Sequence, residues 1–226
     1  MKALIFDSGV LINFSMNGLL DILVKLKKDF DGRFLITEQV KYEVVDRPIK
    51  IAKFELGALR INSLIEKKIL EFPESFGLNS LMMDSLTKEL MFYANNCVFA
   101  NNRAVTIVSA AEMSCLALSR ELNKANVQNI IAIDERTTRV LIEEPRSLEE
   151  LMASKLHTKV KIDYEKINKI GKFNFIRSSE IVFVAYKKGF FELKGKKALE
   201  ALLYATKSKG SSISYEEIEI IKKMKD

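Results

Sequence analysis

Ala3-Leu4-Ile5-Phe6-Asp7-Ser8-Gly9-Val10-Leu11-Ile12-Asn13 is the stretch that decides how this chain is read. Four apolar residues run into an aspartate, and the apolar character resumes two residues later. A run apolar on both faces suits a parallel strand covered on both sides. The carboxyl end of such a strand is where open α/β sheets place ligands. A carboxylate beside a buried strand is costly unless a cation or hydrogen-bond donors compensate it. Asp7 therefore raises two questions: what it serves, and which other acids share its surroundings.

Working outward, residues 18–27 carry Leu19, Leu20, Ile22, Leu23 and Leu26 at an amphipathic helical spacing behind the opening strand. Residues 33–37 read as a short second strand. Thr37 is placed to cap a helix that runs through Val40, Val44 and Val45 and stops near Arg47-Pro48. This β-α-β-α order implies a parallel sheet with right-handed crossovers. Residues 49–94 are mainly helical in pattern, with a short strand expected at 69–72 before Pro73 and a helix at 80–93 whose apolar positions include Leu81, Met82, Leu86 and Leu90. Ser109-Ala110-Ala111-Glu112 opens a further helix ending near Asn123. Ile130-Ile131-Ala132-Ile133-Asp134 then repeats the opening construction, an apolar strand finishing on an aspartate, and residues 135–143 continue as a helix stopped by Pro145.

Beyond Pro145 the pattern changes. An extended piece is expected at 159–162, and a helix from Ser178 or Ser179 to Lys188 with Gly189 at its C′ position. Another helix spans 196–207 and ends by Gly210. The last begins at a capping box, Ser214-Tyr215-Glu216-Glu217. Residues 1–145 thus read as one α/β unit with a helical insertion at about 49–100. Residues 146–226 read as a basic, mainly helical extension packed on or beside it.

Charge follows the same division. The 226 residues hold 36 Lys and Arg against 30 Asp and Glu, a net +6. Residues 1–150 carry 19 basic against 21 acidic side chains, and residues 151–226 carry 17 against 9. An excess of this size suits a polyanionic partner or a solvated lysine-rich exterior. If the partner is RNA, Lys187, Lys188, Lys194, Lys196 and Lys197 are the closest-set candidates for phosphate contacts. Two cysteines cannot build a disulfide framework or a four-thiolate zinc site. One histidine, His157, in a lysine-rich stretch, argues against Ser-His or Cys-His catalysis. Asp7 breaks the first apolar run before it reaches signal-peptide length, and no apolar segment reaches the ~18 residues of a membrane span. A cytoplasmic protein is expected, not a membrane one, and association as a homodimer is left open.

The acids at element boundaries are Asp7, Glu43, Glu112 and Asp134. Strand ends and adjacent helix starts gather along one edge of a parallel sheet, and carboxylates converging there repel unless they share divalent cations. Hard oxygen ligands suit Mg²⁺ or Mn²⁺. In this order the chain resembles the PIN-domain nucleases. The resemblance rests on Asp7-Ser8 with Val10-Leu11-Ile12 and on Thr37-Glu38-Gln39-Val40-Lys41-Tyr42-Glu43. It rests also on Ser109-Ala110-Ala111-Glu112 with Leu116-Ala117-Leu118, and on Ile131-Ala132-Ile133-Asp134-Glu135 with Arg139. It covers about residues 2–144, and Ala185-Tyr186-Lys187-Lys188-Gly189 is similar to a late helix of some members.

The resemblance implies a three-layer α/β/α fold with a central parallel sheet and a divalent-metal-dependent endoribonuclease. Such an enzyme hydrolyses phosphodiester bonds of single-stranded RNA, or of structured RNA with exposed strands, leaving 5′-phosphate and 3′-hydroxyl ends. It assigns catalysis and Mg²⁺ or Mn²⁺ binding to Asp7, Glu43, Glu112 and Asp134, with Ser8 and Glu135 in support. Two departures stand out: Glu112 where many members have aspartate, and the longer Glu135 beside Asp134.

Simpler readings exist for each acid. Ser109 and Glu112 form a capping box by themselves, Asp134 could cap the helix after it, and Glu43 could be solvated near Lys41 and Arg47. Asp7 could be a cap as well, although the residues that follow it are not strong helix formers. Phe6-Asp7-Ser8-Gly9-Val10-Leu11 also looks like the opening of the haloacid-dehalogenase phosphatases. There Gly9 occupies the position of the second aspartate that chemistry needs. A non-cleaving PIN-like RNA-binding or assembly module is the remaining alternative.

Overall fold

The computed structural model describes residues 1–224, the side chains of Ser80 and Leu81 excepted. Strand β1 (Lys2–Phe6) passes through Asp7 directly into helix α1 (Ser8–Met16). Asp7 is thus both strand end and N-cap, its Oδ2 accepting the Gly9 N–H at 3.1 Å. The reading that helix-favouring residues do not follow is corrected here. Val10, Leu11 and Phe14 are completely buried, and burial of an apolar face outweighs modest propensity.

Helix α2 (Asp21–Asp29) leads to strand β2 (Arg33–Leu35). Thr37 caps α3 (Glu38–Lys41) as expected, accepting the Val40 N–H at 3.2 Å. The helix then widens into a π-helical turn over Tyr42–Asp46, closed by the Arg47 N–H on the Tyr42 carbonyl at 2.9 Å. Helices α4 (Ala52–Glu66) and α5 (Ser80–Asn95) follow. The Leu81 position read into that last helix lies outside the described side chains. The strand expected at 69–72 is reduced to one bridge between Leu35 and Glu71, because Pro73, which has no N–H to offer a ladder, turns the chain away.

A hairpin of β3 (Val98–Ala100) and β4 (Arg103–Ala104) turns on Asn101 and Asn102, both at positive φ, as a two-residue hairpin loop requires. Helix α6 (Ala110–Lys124), strand β5 (Gln128–Ala132) and helix α7 (Arg136–Glu143) complete the part read as one unit. Then come α8 (Leu148–Leu156), β6 (Val160–Ile162), α9 (Tyr164–Ile170) and β7 (Phe175–Ile176). The chain ends with α10 (Ser178–Lys187), α11 (Lys196–Ser208) and α12 (Tyr215–Lys223), whose Ser214 capping box is complete.

The result is a mixed α/β fold around a four-stranded parallel sheet in the order β2-β1-β5-β7. Ile5 lies between Leu35 and Ile131, and Ala3 to Phe6 are all buried, as a strand covered on both faces should be. A second, antiparallel sheet, β4-β3-β6, stands apart. The chain leaves β1 toward β2 on one side and returns to β5 on the other. The carboxyl ends of β1 and β5 therefore flank the point where the winding reverses, the place where such sheets open a crevice. Strand β7 comes from the C-terminal third, so that third supplies one edge of the parallel sheet. Leu199, Leu203, Ile213 and Ile218 form a small core of their own beneath α11 and α12. Among the described residues no single helix is long and apolar enough to cross a membrane.

Candidate active site

Asp7 sits at the winding reversal, 3% exposed, its N–H bonded to the Ala132 carbonyl of the neighbouring strand at 2.9 Å. Its Oδ2 caps α1, but its Oδ1 is buried with no hydrogen-bond partner among the described residues. Burial, then the nearby Glu112 carboxylate, push the Asp7 carboxyl up to about 7; Glu43 adds to this, against the backbone N–H groups of Gly9 and Ser8. A buried acceptor lacking a donor and pressed by two acids is what a site prepared for a cation or a proton looks like.

Glu43 reaches this place from the π-helical turn, and Ser8 donates its hydroxyl to Glu43 Oε2 at 2.6 Å. Single π-helical turns inside helices are frequent at functional sites. Glu112 comes from the first turn of α6. Ser109, the N-cap, accepts the Glu112 N–H at 3.3 Å and donates its hydroxyl to Glu112 Oε1 at 3.0 Å. Thr138 of α7 donates to Glu112 Oε2. Burial raises the Glu112 carboxyl against these bonds, with Glu135 contributing. The capping reading of Glu112 is therefore partly right: the residue sits beside its cap and also faces Asp7. Thr37 and Ser114 share a buried hydrogen bond of 2.6 Å, which fixes the start of α3 against α6 and so the spacing of Glu43 and Glu112.

Asp134 is built differently. Its Oδ1 accepts the Ser178 N–H at 2.9 Å and its Oδ2 accepts Asn13 Nδ2 at 3.2 Å. Burial raises its carboxyl, opposed by bonds from Ser178, Ser211 and Asn13. It caps α10 from across the sheet, while Glu135 caps α7 by accepting the Thr138 N–H at 2.8 Å. The alternative in which Asp134 caps the helix after it is corrected: its neighbour Glu135 does so, on a first-turn N–H, while both Asp134 oxygens are taken by Ser178 and Asn13. Glu135 also accepts from Thr137 at 2.9 Å and pairs with Lys155 at 3.4 Å.

Cys115 lies under the same acids. Burial, then Asp7, Glu112 and Glu43, hold its thiol well above the ordinary range, so it is no nucleophile there. Asn13, Thr138 and Ser178 are site residues that sequence reading missed. Only Ser178 carried a signal, as a helix start. Asn13 and Thr138 are completely buried polar residues whose partners lie 121 and 26 positions away.

The basic residues picked from sequence lie elsewhere. Lys187 ends α10, whose first residue meets Asp134, and a ten-residue helix is about 15 Å long. Lys188 is paired with Asp29 at 3.0 Å, and Lys194, Lys196 and Lys197 are exposed around the start of α11. They sit at the far end of α10 from the carboxylates.

As placed, no three Asp, Glu, His or Cys side chains among the described residues are gathered tightly enough to hold a metal ion. The donor set nevertheless fits a hard cation in chemistry. Asp7 Oδ1 has no donor among the described residues, and Glu43 and Glu112 accept hydroxyl hydrogens from Ser8, Ser109 and Thr138, oxygen donors of the kind a hard cation takes. Asp7, its carboxyl pushed up to about 7, can exchange a proton near neutral pH. No family model, curated protein or solved structure matches this chain.

Proposed function

We propose that this chain is a PIN-like, three-layer α/β/α endoribonuclease that hydrolyses RNA phosphodiester bonds with Mg²⁺ or Mn²⁺ and works in the cytoplasm. The observation that carries this reading is Asp7: a buried carboxylate at the winding reversal of a parallel sheet, with one unpartnered oxygen and two further acids beside it. Asp7, Glu43 and Glu112 would hold the ion, which supplies Lewis acidity toward the phosphodiester when bound. Ser8 orients Glu43, and Ser109 and Thr138 orient Glu112. Asp134 fixes α1 and α10 around the crevice through Asn13 and Ser178, a supporting place in the site rather than a ligand's.

The test is cleavage of fluorescently labelled single-stranded RNA in Mn²⁺ by the wild type, Asp7→Asn and Glu112→Gln. Loss in both variants supports the reading, and equal activity in all three proteins overturns it. One observation favours the non-cleaving module: Glu43, Glu112 and Asp134 each already have hydrogen-bond partners inside the chain. RNA binding without cleavage under either metal, unchanged in Asp7→Asn, would establish that alternative.

A further inference from the structure

Helix α4 was read as part of an insertion, and it forms one wall of a trough whose opposite wall is α1. Gly57 faces Ser15, and a Cβ at Gly57 would lie 2.9 Å from Ser15 Oγ, so the two helices meet at closest approach there. On one side of this contact lies a hollow of about 560 Å³ that begins at Glu43. Its surface is mostly apolar, and Met16, Ile51, Phe54 and Leu56 in its lining are 58%, 42%, 46% and 61% exposed. A second hollow of about 380 Å³ shares Ser15 and Arg60 with the first and ends at Lys67. The two hollows adjoin at Ser15 and Arg60 and follow one another along α4.

Cations line both. Arg47 and Lys53 border the first hollow, Lys67 the second, and Arg60 both; all four are exposed. Among the described residues none of the four forms an ion pair, although Lys53 lies over the Phe54 ring at 5.1 Å. Lys53, Gly57 and Arg60 follow one another at helical spacing on α4, and Lys67 stands at its C-cap, so the charges extend over about 20 Å. The opposing acids are Glu43 at the site end and Asp21 in the far hollow. An apolar floor alone would suit a protein helix. A floor with an aromatic ring and a row of free cations suits a chain with flat apolar faces and a regularly spaced negative backbone.

We infer that the trough between α1 and α4 binds a single-stranded nucleic acid, with a base against Phe54 and Ile51 beside the carboxylates and phosphates along Arg47, Arg60 and Lys67. This rests on the nuclease reading only for the direction in which the strand enters. Its length accommodates roughly three to four nucleotides, given the ~6 Å of backbone that an extended nucleotide spans and the helix rise. It also moves the anion-binding surface from the lysines around α11 to the inserted helix.

The experiment measures binding of a fluorescein-labelled octaribonucleotide by anisotropy at about 0.1 M salt, with Asp7→Asn as the background so that cleavage does not intervene. Arg47→Glu/Arg60→Glu is expected to weaken binding at least about tenfold and to flatten the salt dependence by about two charges. Phe54→Ala, a change at an exposed ring, is expected to weaken it about fivefold or more while keeping the salt slope. Circular dichroism melts confirm that each variant is folded. Lys194→Glu/Lys196→Glu/Lys197→Glu serves as the rival surface. A loss confined to that triple variant, or RNA binding unmoved by the trough variants, overturns the inference. If RNA binds the trough but the wild type cleaves nothing, the nuclease reading fails and the trough stands. If the trough substitutions, placed in the wild-type background, leave RNA cleavage at the wild-type rate, the trough inference fails and the nuclease reading stands. An apolar helical peptide displacing no RNA while binding the same face would assign the trough to a protein partner instead.

Discussion

Two strands of the same sheet end on aspartates, and the two ends are finished in opposite ways. At β1, Asp7 keeps one buried oxygen without a donor and faces Glu112 and Glu43. At β5, Asp134 has both oxygens bonded, one to the first N–H of α10 and one to Asn13 of α1. Both are buried to within 4% of completely, so solvent does not explain the difference. What differs is the supply of donors. One helix N–H reaches each aspartate, from Ser178 to Asp134 and from Gly9 to Asp7, but only Asp134 has a side-chain amide, that of Asn13, for its other oxygen. The first end leaves one buried acceptor open, and the second has both oxygens bonded.

The largest effect expected from this contrast is on cleavage. Asp7→Asn should reduce Mn²⁺-dependent cleavage by more than the roughly 10–100-fold that loss of a supporting group costs. Asp134→Asn, once shown to be folded, should lose less. Equal losses would erase the distinction. Stability should reverse the order. Asp134→Ala leaves the Ser178 N–H without its buried acceptor, the Asn13 amide keeping the Thr206 carbonyl, and should cost about 1–3 kcal/mol in urea unfolding, while Asp7→Asn should cost nothing or stabilise.

The next effect is on pH. The folded chain holds its Asp7 proton up to about pH 7, while an unfolded aspartate releases it near 3.8. Between those values the native state binds the extra proton. Its contribution to stability therefore falls as pH rises, by up to about 1.4 kcal/mol per unit, and the loss is complete above pH 7. Melting temperatures followed from pH 4 to 8 should show this decline in the wild type and a shallower one in Asp7→Asn. Saturating Mn²⁺ at pH 8 should restore part of it, by about 2.7 kcal/mol at a hundredfold excess over the dissociation constant, in the wild type alone. The smallest effect belongs to Ser8→Ala, which removes the 2.6 Å bond to Glu43 and should cost about 1 kcal/mol with cleavage lowered less than about tenfold.

The sheet's inner strands and the caps were legible because their signals are local. The four-residue apolar run before Asp7, Thr37 before α3, the Ser109 cap, the Ser214 box and Gly189 at positive φ each act on neighbours a few positions away. Helix α1 was missed because its residues are apolar on every side and leave no periodicity to read. Strand β7 was missed because two residues, Phe175 and Ile176, are too few to make a pattern. At the site, chain order alone could not separate Asp7 from Asp134. Their difference depends on α10, which arrives 44 positions after Asp134. The trough was hidden for the same reason. Arg47, Arg60 and Lys67 share no local pattern in the sequence, and only the packing of α1 and α4 sets them along two adjoining hollows.

The short strand β7 has a consequence for any shortened version of this chain. Ile131 and Ile133 donate their N–H groups to Asn174 and Ile176, so the last strand seals β5. A chain cut after Glu144 would carry every acid of the candidate site and yet expose β5 as a bare, apolar edge, an invitation to pair with a second copy. Such a fragment should self-associate into sheet-rich aggregates on size-exclusion chromatography, and a loss of activity in it would report edge-to-edge stacking rather than missing chemistry.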